Sequence, residues 1–127
     1  MKVTADFAEC GVEQLFYAGK VAYNTTGIAN GVAVCKAPQK MIITRAVCVV
    51  GTAFDAGTTN VLILGTADDD DAILAAADIT EGTAGAYSKQ TFVEVAKGDD
   101  IKAKYTQTGT DATAGAAEFY LFGVAIP

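Results

Sequence analysis

Hydrophobic and polar positions alternate with a period of two along much of the chain, in short runs. The clearest case is 101–106, where Ile101, Ala103 and Tyr105 alternate with two lysines and a threonine. Successive side chains of a strand point to opposite faces, so this spacing predicts a strand with its apolar set facing a core. The 3.6-residue spacing of an amphipathic helix is hard to find anywhere in the chain.

Other apolar or β-rich runs, separated by Gly, Asn, Asp, Thr and Pro, predict further strands. They lie at 14–18, 20–23, 32–35, 41–50, 61–64, 91–96 and 118–126. Because Gly98-Asp99-Asp100 connects 91–96 to 101–106, these two runs are predicted to form a hairpin. Residues 69–77 are predicted to form the one short helix, since aspartates precede an alanine-rich body.

About eight strands with one short helix predict an all-β fold. The strand spacing and the small-residue loops favour a two-sheet sandwich, with a jelly roll as the preferred arrangement. A chain of 127 residues has room for one domain. We assign the sandwich to residues 21–127, and residues 1–20 to an N-terminal segment that is either a docking arm or a first strand.

Two of the predicted strands, 41–50 and 118–126, are apolar on both faces. One small sandwich has one interior, so such a strand is either covered on both sides within the fold or packed against another subunit. Aromatic residues also gather near both ends of the chain. Either they fill the core of the sandwich or some of them pack against another subunit. The candidate interface residues are Phe7, Leu15, Phe16, Tyr17, Tyr120, Phe122 and Val124.

Composition and charge exclude several classes of protein. Hydrophobic residues make up 51% and charged residues 19% of the chain, which argues against disorder. The net charge is −6 and the nine Lys and Arg residues are scattered singly, so binding to nucleic acid or to an anionic membrane is not expected. No signal peptide and no membrane-spanning apolar stretch are evident, which predicts synthesis in the cytosol.

The residues that usually carry catalysis are scarce. The chain has no His and one serine, Ser88, so the common Ser-His and Cys-His pairs cannot form. Its three cysteines, Cys10, Cys35 and Cys48, are too spread for a zinc site and are interpreted as buried thiols.

The acidic residues also have a simpler explanation than catalysis or metal binding. The run 68–71 is four aspartates without the spacing of a calcium loop, and a solvated loop is the preferred interpretation. Glu94 and Glu118 could in principle serve glycoside hydrolysis, but exposed strand positions suit both better. We therefore predict no enzyme, no cofactor and no metal.

The segment from Val49 to Thr66, VVGTAFDAGTTNVLILGT, is similar to one in small virion structural proteins of tailed bacteriophages and prophages. Residues 77–83 and 111–121 fit the same pattern, so the resemblance extends from about Tyr23 to the C-terminus. The resemblance implies a β-sandwich or jelly-roll module that decorates heads, forms head fibres or attaches to tails, often as a trimer.

The expected function is therefore that of a non-enzymatic capsid-decoration or head-fibre protein. Its partners would be further copies of itself, with a trimer favoured, and the major capsid protein or another virion protein. It would reside in the virion after synthesis in the host bacterial cytoplasm. The alternative is a carbohydrate- or receptor-binding β module of a phage tail, against which the lack of Trp counts.

Overall fold

The computed structural model describes residues 12–127, which form two antiparallel β-sheets. The elements are β1 (Glu13–Ala22), β2 (Val32–Lys36), β3 (Met41–Thr52), β4 (Thr59–Thr66), a 3-10 turn (Ala76–Asp78), β5 (Gly85–Val95), β6 (Asp100–Thr108) and β7 (Ala116–Ala125). One sheet has the order β1-β7-β3-β5 and the other β2-β6-β4. The predicted all-β, two-sheet sandwich is confirmed. The described residues contain seven strands, since 14–18 and 20–23 belong to one continuous strand, β1.

The core lies between the two sheets and follows the alternation in the sequence. Ile101, Ala103 and Tyr105 of β6 are buried, as predicted, and the residues between them face outward. Tyr105 packs against Phe54 with the ring centroids 4.7 Å apart, and its hydroxyl donates to Oδ1 of Asn60 at 2.5 Å. A buried tyrosine needs such an acceptor for its hydroxyl, so the ring can lie inside the sandwich without an unsatisfied polar group.

The predicted hairpin between 91–96 and 101–106 is wrong. A turn does form, since the carboxylate of Asp99 accepts from the N–H of Ala96 at 2.9 Å and Gly98 takes a φ of 87°. The flanking strands then separate, because β5 pairs with β3 in one sheet while β6 pairs with β2 and β4 in the other. The turn residues determine where the chain reverses, and burial of the apolar faces determines which strands pair.

The short helix predicted at 69–77 is also misplaced. Ile73 and Leu74 are fully buried, and Leu74 exchanges backbone hydrogen bonds with Leu64 of β4 at 2.9 and 3.0 Å. Burial of these two side chains outweighs the helix preference of the neighbouring alanines, so only the 3-10 turn at 76–78 remains. Within residues 12–127, no helix is long and apolar enough to cross a membrane.

The free edge of β4 is closed without a further strand. The N–H of Leu62 donates to Oε2 of Glu81 at 2.7 Å, Leu64 pairs with Leu74, and the N–H of Thr66 donates to the carbonyl of Asp69 at 2.8 Å. Glu81 is almost completely buried in this position, and burial raises the pKa of its carboxyl. These contacts leave few backbone N–H and C=O groups on this edge of β4 for pairing with a strand of another chain.

The edge strand β5 is protected in a different way. Its register with β3 shifts between Ile43 and Arg45, which marks a bulge. Lys89 lies level with the buried Ala46, on the inner side of the strand, and its Nζ is 2.9 Å from Oδ2 of Asp78. Bulges and inward-pointing charges on an edge strand both oppose edge-to-edge association. Association of this protein is therefore better served by a face of a sheet than by these edges.

Candidate interaction face

The outer face of the four-stranded sheet carries an apolar band that crosses all four strands. We define the apolar band as Leu15, Ile42, Phe92, Phe122 and Val124. Leu15 lies opposite Phe122, and Ile42 lies opposite Val124, in neighbouring strands. Leu15 is 51% and Phe92 78% exposed, while the other three side chains are half-buried.

The band exists because β3 and β7 are apolar on both faces, as predicted. The inner residues of β7 include Phe119 and Leu121, which are fully buried between the sheets. The residues between and after them, Tyr120 and Phe122, therefore face outward. β3 and β7 are both inner strands of their sheet, but no element of the described chain covers this second face.

The structure brings together four of the predicted interface residues, namely Leu15, Tyr120, Phe122 and Val124. Phe16 and Tyr17 instead pack against the core, because a bulge between Leu15 and Tyr17 changes the facing of β1. Phe7 lies outside the described residues. The role of these residues in an interface stays a prediction.

Sequence reasoning missed Arg45 and Phe92 on this face. The signal for Phe92 was present, since Gln90 and Glu94 stand two residues away on either side and share its face of the strand. The side chain of Val93, next in sequence, is also apolar, so the run 91–96 did not reveal which set faces inward. Arg45 follows a bulge, and its facing could not be read from alternation alone.

Arg45 lies on the apolar band. Its guanidinium carbon is 4.4 Å from the ring centroid of Phe122, which is within the range of a cation–π contact. The ion pairs of residues 12–127 all involve lysine and lie elsewhere: Lys36–Asp100 at 2.7 Å, Lys89–Asp78 at 2.9 Å and Lys104–Asp70 at 3.4 Å. No carboxylate of the described chain is paired with Arg45.

Three carboxylates share the outer face with Arg45. Glu13 accepts a hydrogen bond from the Thr44 hydroxyl, and Glu118 accepts one from the Tyr120 hydroxyl at 2.8 Å. Glu94 is exposed beside Ile42 and forms no ion pair with any residue that the structure describes. Glu94 and Glu118 both occupy exposed strand positions, as predicted, at different levels of the sheet.

The outer face of the three-stranded sheet is more polar. Lys102, Lys104 and Thr106 of β6 lie there, and two of the three ion pairs include lysines of this sheet. Half-buried Val61 and Ile63 are its larger apolar residues. The two outer faces therefore differ in chemistry, and the four-stranded sheet offers the better surface for a protein partner.

The acidic loop is compact. Asp69, Asp70 and Asp71 are exposed and bring carboxylate oxygens within 4.8 Å of one another. A hydrogen bond that protonated Asp71 donates to Asp69, together with desolvation and the nearby charges of Asp69 and Asp70, raises the pKa of Asp71. Exposed acidic groups are common without an ion, so the expectation that no metal is required stays a prediction, which a chelator can test through the melting temperature.

The described cysteines are unsuited to thiol chemistry. Burial raises the pKa of Cys35 to about 11 and that of Cys48 to about 12, with smaller contributions from Asp100 and Glu81 respectively. Both are free thiols. A thiolate is the reactive form, so neither residue is equipped as a nucleophile. Cys10 lies outside the described residues.

Solved structures with a similar fold include two chains from bacteriophage particles. One belongs to the capsid asymmetric unit of cyanophage Pam1, with a TM-score of 0.70 and 16% sequence identity over 99% of this chain and 94% of that chain. The other belongs to the acid-stable capsid of Helicobacter pylori bacteriophage KHP30, with a TM-score of 0.63 and 11% identity over 93% of this chain and 92% of that chain. No protein family and no curated protein matches the sequence. At these identities the likeness is one of fold.

Proposed function

We propose that this protein is a non-enzymatic structural component of a bacteriophage virion, which forms a homo-oligomer and decorates or attaches to the capsid. The observation that carries the proposal is the likeness to chains of two phage capsids, each over more than nine tenths of both chains. The segment Val49–Thr66, which resembles virion proteins in sequence, forms the end of β3, the following loop and β4 in this fold.

The strand order supports a jelly roll. A jelly roll has eight strands in two sheets. The order β1-β7-β3-β5 and β2-β6-β4 leaves a place beside β4 for a strand that would lie between β4 and β5 in sequence. The bridge between Leu64 and Leu74 lies at that place. We therefore interpret the fold as a jelly roll whose eighth strand is reduced to one bridge.

The apolar band supports association. Burying a large apolar side chain such as Phe92 contributes roughly 1.5–3 kcal/mol, which the isolated molecule does not gain. Exposed contiguous apolar surface usually marks an interaction site. The partners are further copies of this chain, with a trimer favoured by the sequence resemblance, and the major capsid protein or another virion protein.

The homo-oligomer is tested by the mass of the free protein. Light scattering at micromolar concentration should give a multiple of 13.0 kDa, three times that value for the favoured trimer. A mass of one subunit at every concentration would contradict self-association.

Attachment is tested in particles of the phage or prophage that encodes the chain. Mass spectrometry of purified particles should detect the protein, and Phe122→Ser should move it into the soluble fraction. The matched control is Val61→Ser, since Val61 is also half-buried but lies on the outer face of the other sheet. Absence of the wild-type protein from the particles would contradict a virion role.

A further inference from the structure

The single arginine of the chain occupies a position that suits contact with another molecule. Arg45 is exposed, and its guanidinium stacks on Phe122 at 4.4 Å rather than on a carboxylate. The remaining cations of the chain are lysines. Arginine is enriched at interfaces because its planar group can stack on an aromatic ring while its N–H groups bind a carboxylate. The N–H groups of Arg45 lack that carboxylate within residues 12–127.

A complementary carboxylate lies on the same face of the same molecule. Glu94 of β5 is exposed, level with Ile42, and no lysine or arginine that the structure describes pairs with it. Asp68, Asp99 and Asp100, which belong to the other sheet and its loops, line a cavity together with Glu94, and of these four carboxylates Asp100 is paired, with Lys36. Phe92, the most exposed large apolar residue of the described chain, stands between Glu94 and the level of Arg45.

These features favour a second copy of the chain as the occupant of the band. The face presents both a cation and a carboxylate, with an exposed phenyl ring between them, so it is complementary to itself. On this outer face lie two cations, Lys20 and Arg45, and three carboxylates, Glu13, Glu94 and Glu118, a sum of −1 out of −6 for the whole chain; Lys89 of β5 faces inward. Two copies can therefore approach through this face with little of the like-charge repulsion that their net charge creates elsewhere.

We infer that Arg45 of one copy pairs with Glu94 of the next copy, and that Phe92 packs in the contact beside this pair. The inference rests on the homo-oligomer proposed above and identifies the residues that select the partner. It applies to a twofold contact and to a closed ring, because both bring the face of one copy against that of another.

Charge reversal tests the pairing. In Arg45→Glu both positions are acidic, and in Glu94→Arg both are basic, so each variant alone should associate at least tenfold more weakly than the wild type. In the double variant Arg45→Glu/Glu94→Arg, every contact between copies regains opposite charges, in a dimer and in a ring of three alike. The double variant should therefore form oligomers at concentrations where each single variant is monomeric, as measured by analytical ultracentrifugation.

A matched pair on the other outer face provides the control. Lys104→Glu and Asp70→Arg change the net charge by the same amounts, and Lys104 and Asp70 already pair within one molecule. Neither control should weaken association. Arg45 and Glu94 are both exposed, so circular dichroism should show that their variants retain the fold.

The outcomes separate this inference from the proposed homo-oligomer. If the wild type is oligomeric and the single variants associate as it does, or if the double variant fails to recover association, the Arg45–Glu94 pairing is wrong while the oligomer stands. If the wild type is monomeric throughout, both fail. If the Lys104 and Asp70 variants also weaken association, the effect of the Arg45 and Glu94 variants is one of net charge, and the pairing is wrong.

Discussion

Asp55 shows how one exposed side chain organises a loop. Its Oδ1 accepts from the backbone N–H groups of Thr113 at 2.7 Å and Ala114 at 3.0 Å, and its Oδ2 accepts from the Thr113 hydroxyl at 2.8 Å. The hydrogen bonds from Ala114 and Thr113 lower the pKa of Asp55. The carboxylate thereby fixes the loop that leads into β7.

Asp55→Asn should lower stability at neutral pH, and the difference from the wild type should shrink in acid. Because the pKa of Asp55 is lower in the folded state, its contribution is present above the unfolded value of about 3.9 and is lost as the pH falls through the folded value. Melting temperatures at pH 7 and pH 3 measure this. Asp111→Asn is the control, since Asp111 is exposed in the loop before β7 that Asp55 binds. An equal effect of Asp55→Asn at both pH values would contradict the prediction.

The two described cysteines allow a second test at this scale. In a Cys10→Ala variant, a thiol reagent at pH 8 should label Cys35 and Cys48 slowly in the native protein and rapidly in denaturant. The pKa values of about 11 and about 12 leave little thiolate in the folded state. Rapid native labelling of Cys48, followed by mass spectrometry of peptides, would show that its burial is not maintained in solution.

At the scale of elements, the acidic loop fits closely against β4. Gly65 is buried, and a Cβ added there would lie 2.2 Å from the carbonyl oxygen of Asp69 and 2.4 Å from the carbonyl carbon of Asp70. Both are backbone atoms, so the loop would have to move. The glycine thus permits the contact that closes the edge of the three-stranded sheet.

Gly65→Ala should destabilise the protein by about 1–3 kcal/mol, the usual range for overpacking. Gly51→Ala is the matched control, because Gly51 also lies in a strand and nothing stands within 4 Å of the added Cβ. Its effect should stay within about 0.5 kcal/mol. Urea unfolding followed by circular dichroism measures both. A neutral Gly65→Ala would mean that the loop is not held against β4 in solution.

The sequence allowed prediction of those strands whose alternation or length is clear. β3, β6 and β7 are near their predicted positions because an uninterrupted apolar pattern marks their buried faces. The first half of β5, from Gly85 to Gln90, was missed because an edge strand with exposed small and polar residues carries little pattern. The helix was misplaced because Ile73 and Leu74 obtain their burial through tertiary contact with β4, which local propensity does not contain.

The outer face of the four-stranded sheet was predicted only in part, again because contacts between distant segments decide which side chains lie on it. Strands that are apolar on both faces indicated an uncovered surface, and four of the seven proposed residues lie on it. Bulges in β1 and β3 then decided the facing of Phe16, Tyr17 and Arg45. A bulge changes the facing of every residue beyond it, and this depends on pairing between distant segments.

At the scale of the whole molecule, stability and association should be linked. In the proposed homo-oligomer the folded protein presents the apolar band to a second copy, whereas the unfolded chain does not, so association would stabilise the folded state by mass action. The melting temperature should therefore rise with protein concentration over about a hundredfold range.

In Arg45→Glu, which should associate at least tenfold more weakly, the melting temperature should depend less on concentration than in the wild type. Differential scanning calorimetry of both proteins provides the comparison. A wild-type melting temperature that is constant across the dilution series would contradict the link between folding and self-association.

The place of β7 determines when the protein can fold during its synthesis. Residues 116–125 insert between β1 and β3, so the four-stranded sheet lacks one of its inner strands until they leave the ribosome. Before that time β1 has no partner in its sheet, and the inner faces of β1 and β3 remain open. Folding must therefore follow translation of nearly the whole sandwich, and stalled or shortened chains should be targets for chaperones and proteases. Only chains that include β7 would then form the four-stranded sheet, and with it the outer face that carries the apolar band.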